Sequence, residues 1–160
     1  VVRLRDPLAP ALAADNESVA LDFDDVVARI RAAARGYDVA LVEGAGGVLS
    51  PLTWTTDIPA LARALGEVAV VLVAVDRLGT LSATHAAVQC LADAGVLVSV
   101  IVLGAPAAPD ASTGTNAGAL RRRLAAYDPA HERIALLGRV GSPAEAAGQL
   151  GGVAAWLDGT

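Results

Sequence analysis

The chain has 160 residues, a length typical of one domain with a substantial hydrophobic core. Its formal net charge of −5 argues against nucleic acid or an anionic membrane surface as a partner, because both bind concentrated positive charge. Hydrophobic residues make up 54% and aromatic residues 3%, which indicates a core of Ala, Val and Leu, and the single cysteine excludes an internal disulfide and fits a reducing compartment.

The first half of the chain predicts a helix followed by a strand. An aspartate, Asp22 or Asp24, is a candidate cap for a helix that Gly36 ends. Residues 39–42 are a short apolar run, which is typical of a buried strand in a parallel sheet.

A carboxylate and a glycine-rich loop follow that strand. Glu43 stands at its predicted carboxyl end, where open α/β sheets bind ligands. The next residues have almost no side chains and let backbone N–H groups approach phosphate oxygens: Gly44, Ala45, Gly46 and Gly47. This layout predicts a metal and phosphate site; a tight glycine turn needed only for packing is the alternative.

The remainder of the chain alternates helix and strand patterns. Strands are predicted at residues 68–75, 98–103 and 134–137, and the first of these runs is too short to cross a bilayer. Helices are predicted at residues 57–65, 80–94 and 116–126, with a final helix ending near Trp156. This alternation predicts a single α/β domain over residues 1–160, with a parallel sheet and crossover helices.

The turn after the strand at residues 68–75 is a second candidate site. It opens a helix with Leu78, Gly79, Thr80, Leu81 and Ser82. Free N–H groups and the helix dipole make such a start a suitable place for a carboxylate. A plain helix cap is the alternative.

Several of these motifs together resemble the dethiobiotin synthetase family, ATP-dependent enzymes that close the ureido ring in biotin biosynthesis. The resemblance is carried by residues 43–47 with the Leu-Ser-Pro-Leu that follows at residues 49–52. Four further segments match in order, at residues 7–14, 76–82, 100–104 and 134–138.

The resemblance implies a three-layer, doubly wound parallel sheet of the P-loop NTPase type that lacks its first strands. It implies ATP as co-substrate and Mg²⁺ as cofactor, with Glu43 as a metal ligand and Gly44, Ala45, Gly46 and Gly47 facing the triphosphate and the diamine. The chain has no G-x-x-x-x-G-K-[ST] loop, no lysine and no methionine. The sequence therefore resembles the C-terminal two-thirds of a synthetase whose first strands, phosphate loop and catalytic lysines lie upstream or were lost, and we expect it to be inactive alone.

The resemblance also implies the remaining partners. The implied substrates are 7,8-diaminononanoate and CO₂, and the implied protein is a cytoplasmic homodimer. In this family the turn that corresponds to Leu78–Ser82 receives the carboxylate of the diamine across the dimer interface. Pro10 matches a substrate-lining position, although a rigid turn explains it equally well. Gly104 stands where many members have an adenine-reading Asn, and Asn116 matches an Asn found further along in actinobacterial-type members, so these two residues are assigned to the nucleotide base region.

Two other classes of function remain open from the sequence. A cobyrinate-type amide synthetase or a MinD-like ATPase shares the phosphate-binding sheet. A non-catalytic α/β dimerisation module that has lost nucleotide chemistry is the third possibility, and the missing phosphate loop favours it.

Overall fold

The computed structural model describes residues 2–157, apart from the side chains of Pro129 and His131. The chain divides into two compact units, Val1–Val68 and Ala69–Thr160. The predicted single domain over residues 1–160 stays a prediction, and its ends at residues 1 and 158–160 lie outside the described residues.

The first unit contains three helices, α1 (Pro10–Asn16), α2 (Phe23–Ala34) and α3 (Ile58–Leu65). Asp22 caps α2 because its side chain accepts a hydrogen bond from the N–H of Asp25 at 2.8 Å. Asp57 caps α3 in the same way, and Gly66 ends that helix with a φ of +94°. The predicted cap of α2 is thus confirmed as Asp22 rather than Asp24.

The strand predicted at residues 39–42 is wrong in this structure. No strand is formed between α2 and α3, and Val39 and Leu41 are 76% and 95% exposed. A parallel strand exists only when a neighbouring strand accepts and donates its ladder of hydrogen bonds. Among the described residues no strand pairs with this segment, so its apolar composition alone does not produce a strand.

The second unit is a three-stranded parallel sheet with flanking helices. The strands β1 (Val70–Val75), β2 (Val98–Gly104) and β3 (Ile134–Leu137) lie in the order β1-β2-β3. Helices α4 (Thr80–Asp93) and α5 (Asn116–Leu124) connect them, with a 3₁₀ turn (Pro129–Glu132) before β3, and α6 (Pro143–Gln149) and α7 (Gly151–Leu157) follow. The predicted α/β class and parallel sheet are confirmed.

The core of this unit is centred on β2. Val100, Ile101 and Leu103 are fully buried, together with Leu91 of α4 and Leu120 of α5. Because the strands are parallel, their carboxyl ends lie at one edge of the sheet. The segments that follow each strand, at residues 76–79, 105–115 and 138–142, therefore begin at that edge.

Two details differ from the sequence prediction. The predicted final helix is two helices, which separate at Leu150 before the glycine pair Gly151 and Gly152, a combination with low helix propensity. At the outer side of the described sheet, β1 exposes its valines on one face, since Val73 is 68% exposed.

Within residues 2–157, no helix combines the length and the apolar character needed to cross a membrane.

Candidate functional site

The glycine loop in the first unit is a tight turn in which two glycines lie close to neighbouring side chains. A Cβ atom on Gly44 would lie 2.8 Å from Cδ1 of Ile58 in α3. Gly46 has a φ of +81°, and a Cβ atom there would lie 2.6 Å from the hydroxyl oxygen of Ser50. The left-handed backbone therefore favours glycine at position 46, while at Gly44 the end of the Ile58 side chain would have to shift to admit a Cβ atom.

Gly47 is different from these two glycines. A Cβ atom on Gly47 would meet no atom within 4 Å, so open space lies beside its backbone. Its carbonyl oxygen accepts the N–H of Ser50 at 2.9 Å, which holds the loop in its turn. Gly47 is therefore the position in this loop where packing does not explain glycine and where a ligand has room to approach the backbone.

Glu43 precedes this loop as an exposed carboxylate. Within the part of the chain that the structure describes, no group of three His, Cys, Asp or Glu side chains is placed to hold a metal ion. Mg²⁺ bound with a nucleotide takes one or two protein carboxylates, while phosphate oxygens and waters complete its octahedron. A single free-standing carboxylate therefore fits a metal that arrives with a nucleotide, and it does not fit an all-protein metal site.

The structure brings Pro10 and Ala45 to one cavity of about 280 Å³ in the first unit. Most of its lining is apolar, with Leu21, Phe23 and Leu52 among the side chains. Pro10 also begins α1, where its missing N–H costs no hydrogen bond. Its place in the cavity wall supports a substrate-lining role for Pro10, while its place at the start of α1 supports a purely structural role.

In the second unit, the turn between β1 and α4 has a defined internal geometry. Gly79 has a φ of +95°, a left-handed conformation that favours glycine. The hydroxyl group of Thr80 donates to the carbonyl oxygen of Val75, and Thr80 is buried. The first N–H groups of an α-helix have no intrahelical partner, so the start of α4 offers donors to a carboxylate.

The segment from Gly104 to Asn116 is fixed to this turn through a buried carboxylate. Asp76 is 5% exposed and accepts the N–H of Gly114 at 2.8 Å and the amide nitrogen of Asn116 at 2.7 Å. The same nitrogen also lies 3.2 Å from the hydroxyl oxygen of Ser112. In this conformation the amide nitrogen of Asn116 is therefore used by the protein and is not available to a nucleobase.

Gly104 leaves room at the end of β2. A Cβ atom there would have only the carbonyl oxygen of Ala74, at 3.9 Å, within contact distance. The carbonyl oxygen of Gly104 accepts the N–H of Asp76 at 2.8 Å. The assignment of Gly104 and Asn116 to the nucleotide base region stays a prediction.

Sequence reasoning missed the roles of Asp76 and Asp110. Asp110 lies in the 105–115 segment, and its carboxylate accepts hydrogen bonds from the hydroxyl of Ser112, the N–H of Leu78 and the N–H of Ser112. These three bonds, given in the order of their effect on the pKa, lower the pKa of Asp110 to about 2. The Asp-x-Ser pattern signals a local turn, but nothing in the sequence indicates the bond to Leu78.

Asn116→Ala is expected to destabilise the second unit by about 1 to 3 kcal/mol, because it removes one donor from a buried carboxylate. The measurement is the midpoint of urea unfolding. Thr115→Ala is the control, because its exposed hydroxyl bonds only to the carbonyl of Ser112, and a change within about 0.5 kcal/mol is expected. Equal midpoints for the two variants would contradict the importance of the Asp76–Asn116 pair.

Comparison with known proteins gives a consistent result. A family model described as an AAA domain matches residues 1–144. Over 97 residues the chain is 43% identical to the ATP-dependent dethiobiotin synthetase BioD of Anaeromyxobacter sp. (strain Fw109-5), which covers 61% of this chain and 43% of that protein. Over 103 residues it is 43% identical to the protein of the same name from Caulobacter vibrioides (strain NA1000 / CB15N), covering 63% and 47%. The chain thus spans about half the length of the curated relatives it matches.

Proposed function

The chain belongs to the AAA-domain family, and we propose that within this family it is the C-terminal portion of an ATP-dependent dethiobiotin synthetase. The observation that carries the proposal is the 43% identity, over 97 residues, to a relative that has this name. The open space beside Gly47 and the free helix start of α4 support it, because the reaction needs a phosphate site and a carboxylate site.

In the proposed reaction, a carbamate formed from CO₂ and one amine of 7,8-diaminononanoate attacks the γ-phosphate of ATP and displaces ADP. The second amine then attacks the carbonyl carbon of the mixed anhydride, which releases phosphate and closes the cyclic urea. Glu43 is the proposed ligand to Mg²⁺, which neutralises phosphate charge when it is bound. The loop of Gly44, Ala45, Gly46 and Gly47 presents backbone groups to the triphosphate and the diamine. No catalytic lysine is assigned to this portion, since the 160 residues contain none.

The turn from Leu78 to Ser82 is the proposed clamp for the carboxylate of the diamine. In the proposed homodimer, each subunit uses this turn to bind the diamine that lies in the active site of its partner. Gly79 allows the left-handed backbone that opens α4, and the N–H groups of Leu81 and Ser82 lie in the first turn of the helix. The proposed protein acts in the cytoplasm, which agrees with its single free cysteine.

The test of this function is an assay of the complete protein with ATP, MgCl₂, bicarbonate and 7,8-diaminononanoate, in which dethiobiotin is identified by mass spectrometry. Formation of dethiobiotin together with stoichiometric ADP and phosphate supports the proposal. ATP hydrolysis without dethiobiotin would instead support an ATPase or amide synthetase of the same family.

Gly79→Val in the complete protein is expected to weaken binding of the diamine by about 1 to 3 kcal/mol, the scale of a lost hydrogen bond to a charged group. A β-branched residue is strained at a φ of +95° and shifts the N–H groups that a carboxylate would meet. The KM for the diamine should rise more than the KM for ATP.

Gly95→Val is the matched control, because Gly95 also has a positive φ of +75° and open space around it, but it lies beyond the other end of α4. Mixing Gly79→Val subunits with Glu43→Gln subunits should restore one intact site in each mixed dimer. Mixed dimers that form without any recovered activity would contradict the shared carboxylate clamp.

A further inference from the structure

A carboxylate of the chain itself already occupies one backbone donor of the proposed clamp. The N–H of Leu78 donates to Oδ2 of Asp110 at 2.8 Å, although the two residues are 32 positions apart in the sequence. The other carboxylate oxygen, Oδ1, accepts the N–H of Ser112 at 2.8 Å and its hydroxyl at 2.6 Å. The side chain of Asp110 is therefore held at both oxygens, one on its own loop and one on the turn before α4.

A second connection between the same two segments runs through Thr113. The N–H of Asp110 donates to the hydroxyl oxygen of Thr113 at 3.0 Å, and that hydroxyl donates to the carbonyl oxygen of Asp76 at 3.1 Å. The side chain of Asp76 in turn accepts hydrogen bonds from the N–H of Gly114 and from the amide nitrogen of Asn116. The loop between β2 and α5 thus contacts the turn on both the Asp76 side and the Leu78 side.

The Leu78 peptide group is also held at its carbonyl side, because the carbonyl oxygen of Arg77 accepts the N–H of Thr80 at 3.1 Å and the amide nitrogen of Asn116 at 3.4 Å. The side chain of Leu78 is 81% exposed, so packing contributes little there. Gly79, the next residue, has the conformational freedom of glycine. The hydroxyl of Thr80 donates to the carbonyl oxygen of Val75 and so holds the beginning of the helix. The same hydroxyl accepts a weak hydrogen bond from the N–H of Arg77, at 3.5 Å. Asp110 is therefore the acceptor that fixes the N–H side of this peptide group, in addition to the contacts at the carbonyl oxygen of Arg77.

We propose that Asp110 is a positioning residue that fixes the turn from Leu78 to Ser82 for a carboxylate ligand and connects it to the loop of residues 104–116. The inference rests on the proposed function, because the ligand is the carboxylate of the diamine substrate. Asp110 occupies the N–H of Leu78, and the N–H of Thr80 donates to the carbonyl oxygen of Arg77 at 3.1 Å, so the substrate carboxylate uses the N–H groups of Gly79, Leu81 and Ser82.

The charge of Asp110 is constant under working conditions. Its hydrogen bonds hold its pKa at about 2, so the group is ionised throughout the neutral range. A lowered pKa means that the carboxylate contact is lost only as the pH falls toward 2. The effect of removing Asp110 should therefore be the same at pH 6 and pH 9.

The experiment compares Asp110→Ala and Asp110→Asn in the complete protein by two readouts. The first is hydrogen–deuterium exchange at the amide of Leu78, and the second is the KM for 7,8-diaminononanoate with and without saturation by ATP. Asp110→Ala should accelerate exchange at Leu78 by about tenfold and raise the diamine KM by about tenfold, with kcat changed by less than about threefold. Asp110→Asn keeps an acceptor oxygen and should recover most of both effects.

Asp93→Ala is the control, because Asp93 is also an aspartate bonded by a side chain, that of Gln89, but it lies at the far end of α4. It should leave both readouts unchanged. A general loss of folding would reduce the active fraction and the unfolding midpoint without a selective rise in the diamine KM. This separates a positioning role from a merely structural one.

The outcomes are distinguishable. Unchanged exchange at Leu78 in Asp110→Ala overturns the positioning role, whatever the activity. Accelerated exchange with an unchanged diamine KM overturns the connection to the substrate carboxylate. If the wild-type protein makes no dethiobiotin, the proposed function fails, while the exchange measurement still decides whether Asp110 holds the turn.

Discussion

The 160-residue chain by itself is expected to form no dethiobiotin from 7,8-diaminononanoate, bicarbonate and ATP. Phosphoryl transfer in P-loop enzymes depends on a glycine-rich loop and a lysine that hold the β- and γ-phosphates. The chain contains twelve basic residues, but all of them are arginines, and it contains no G-x-x-x-x-G-K-[ST] motif. A guanidinium group does not replace the compact ammonium group of a lysine at this position.

The measurement is dethiobiotin formed per mole of chain over several hours, with the complete synthetase as the positive control. Circular dichroism shows whether the chain has folded, since α2, α4 and α5 should give a clear helical signal. Activity that depends on ATP and increases in proportion to the amount of the chain would contradict this expectation and would mean that another group contacts the γ-phosphate.

Glu43→Gln in the complete protein is expected to lower turnover by about 10²-fold or more, the size of effect seen when a strong electrostatic contact is lost from an active site. Glutamine keeps the size of the side chain and removes its formal charge. Glu43 is exposed, so the substitution should leave the packing of the loop unchanged. The concentration of Mg²⁺ needed for half-maximal activity should also rise.

The matched control for Glu43 is Glu67→Gln, because Glu67 is an exposed glutamate in the same unit that follows the end of α3. It should change turnover by less than about twofold, in line with surface substitutions in general. Binding of Mg²⁺ and ATP measured by calorimetry gives a readout that does not depend on turnover. A rate and a Mg²⁺ dependence like those of the wild type would mean that Glu43 has no role at the metal.

Several local features of the fold were predictable because they depend on residues close together in the sequence. The cap of α3 by Asp57, with Pro59 in the first turn and Gly66 at the end, satisfies backbone groups within a few residues. The same holds for Gly95 after α4. The apolar run that became β2 is buried on both faces, which agrees with its composition.

The sequence by itself therefore determined local helix caps and the parallel α/β class, while the assignment of the glycine loop to a phosphate site stays a prediction. Only the tertiary structure decided whether residues 39–42 form a strand, because a strand needs a partner that local composition cannot supply. It alone also decided that the nitrogen of Asn116 serves Asp76 and that Asp110 bonds to Leu78. These contacts join residues 32 and 40 positions apart, and such pairings follow from where the strands place their carboxyl ends rather than from any pattern along the chain.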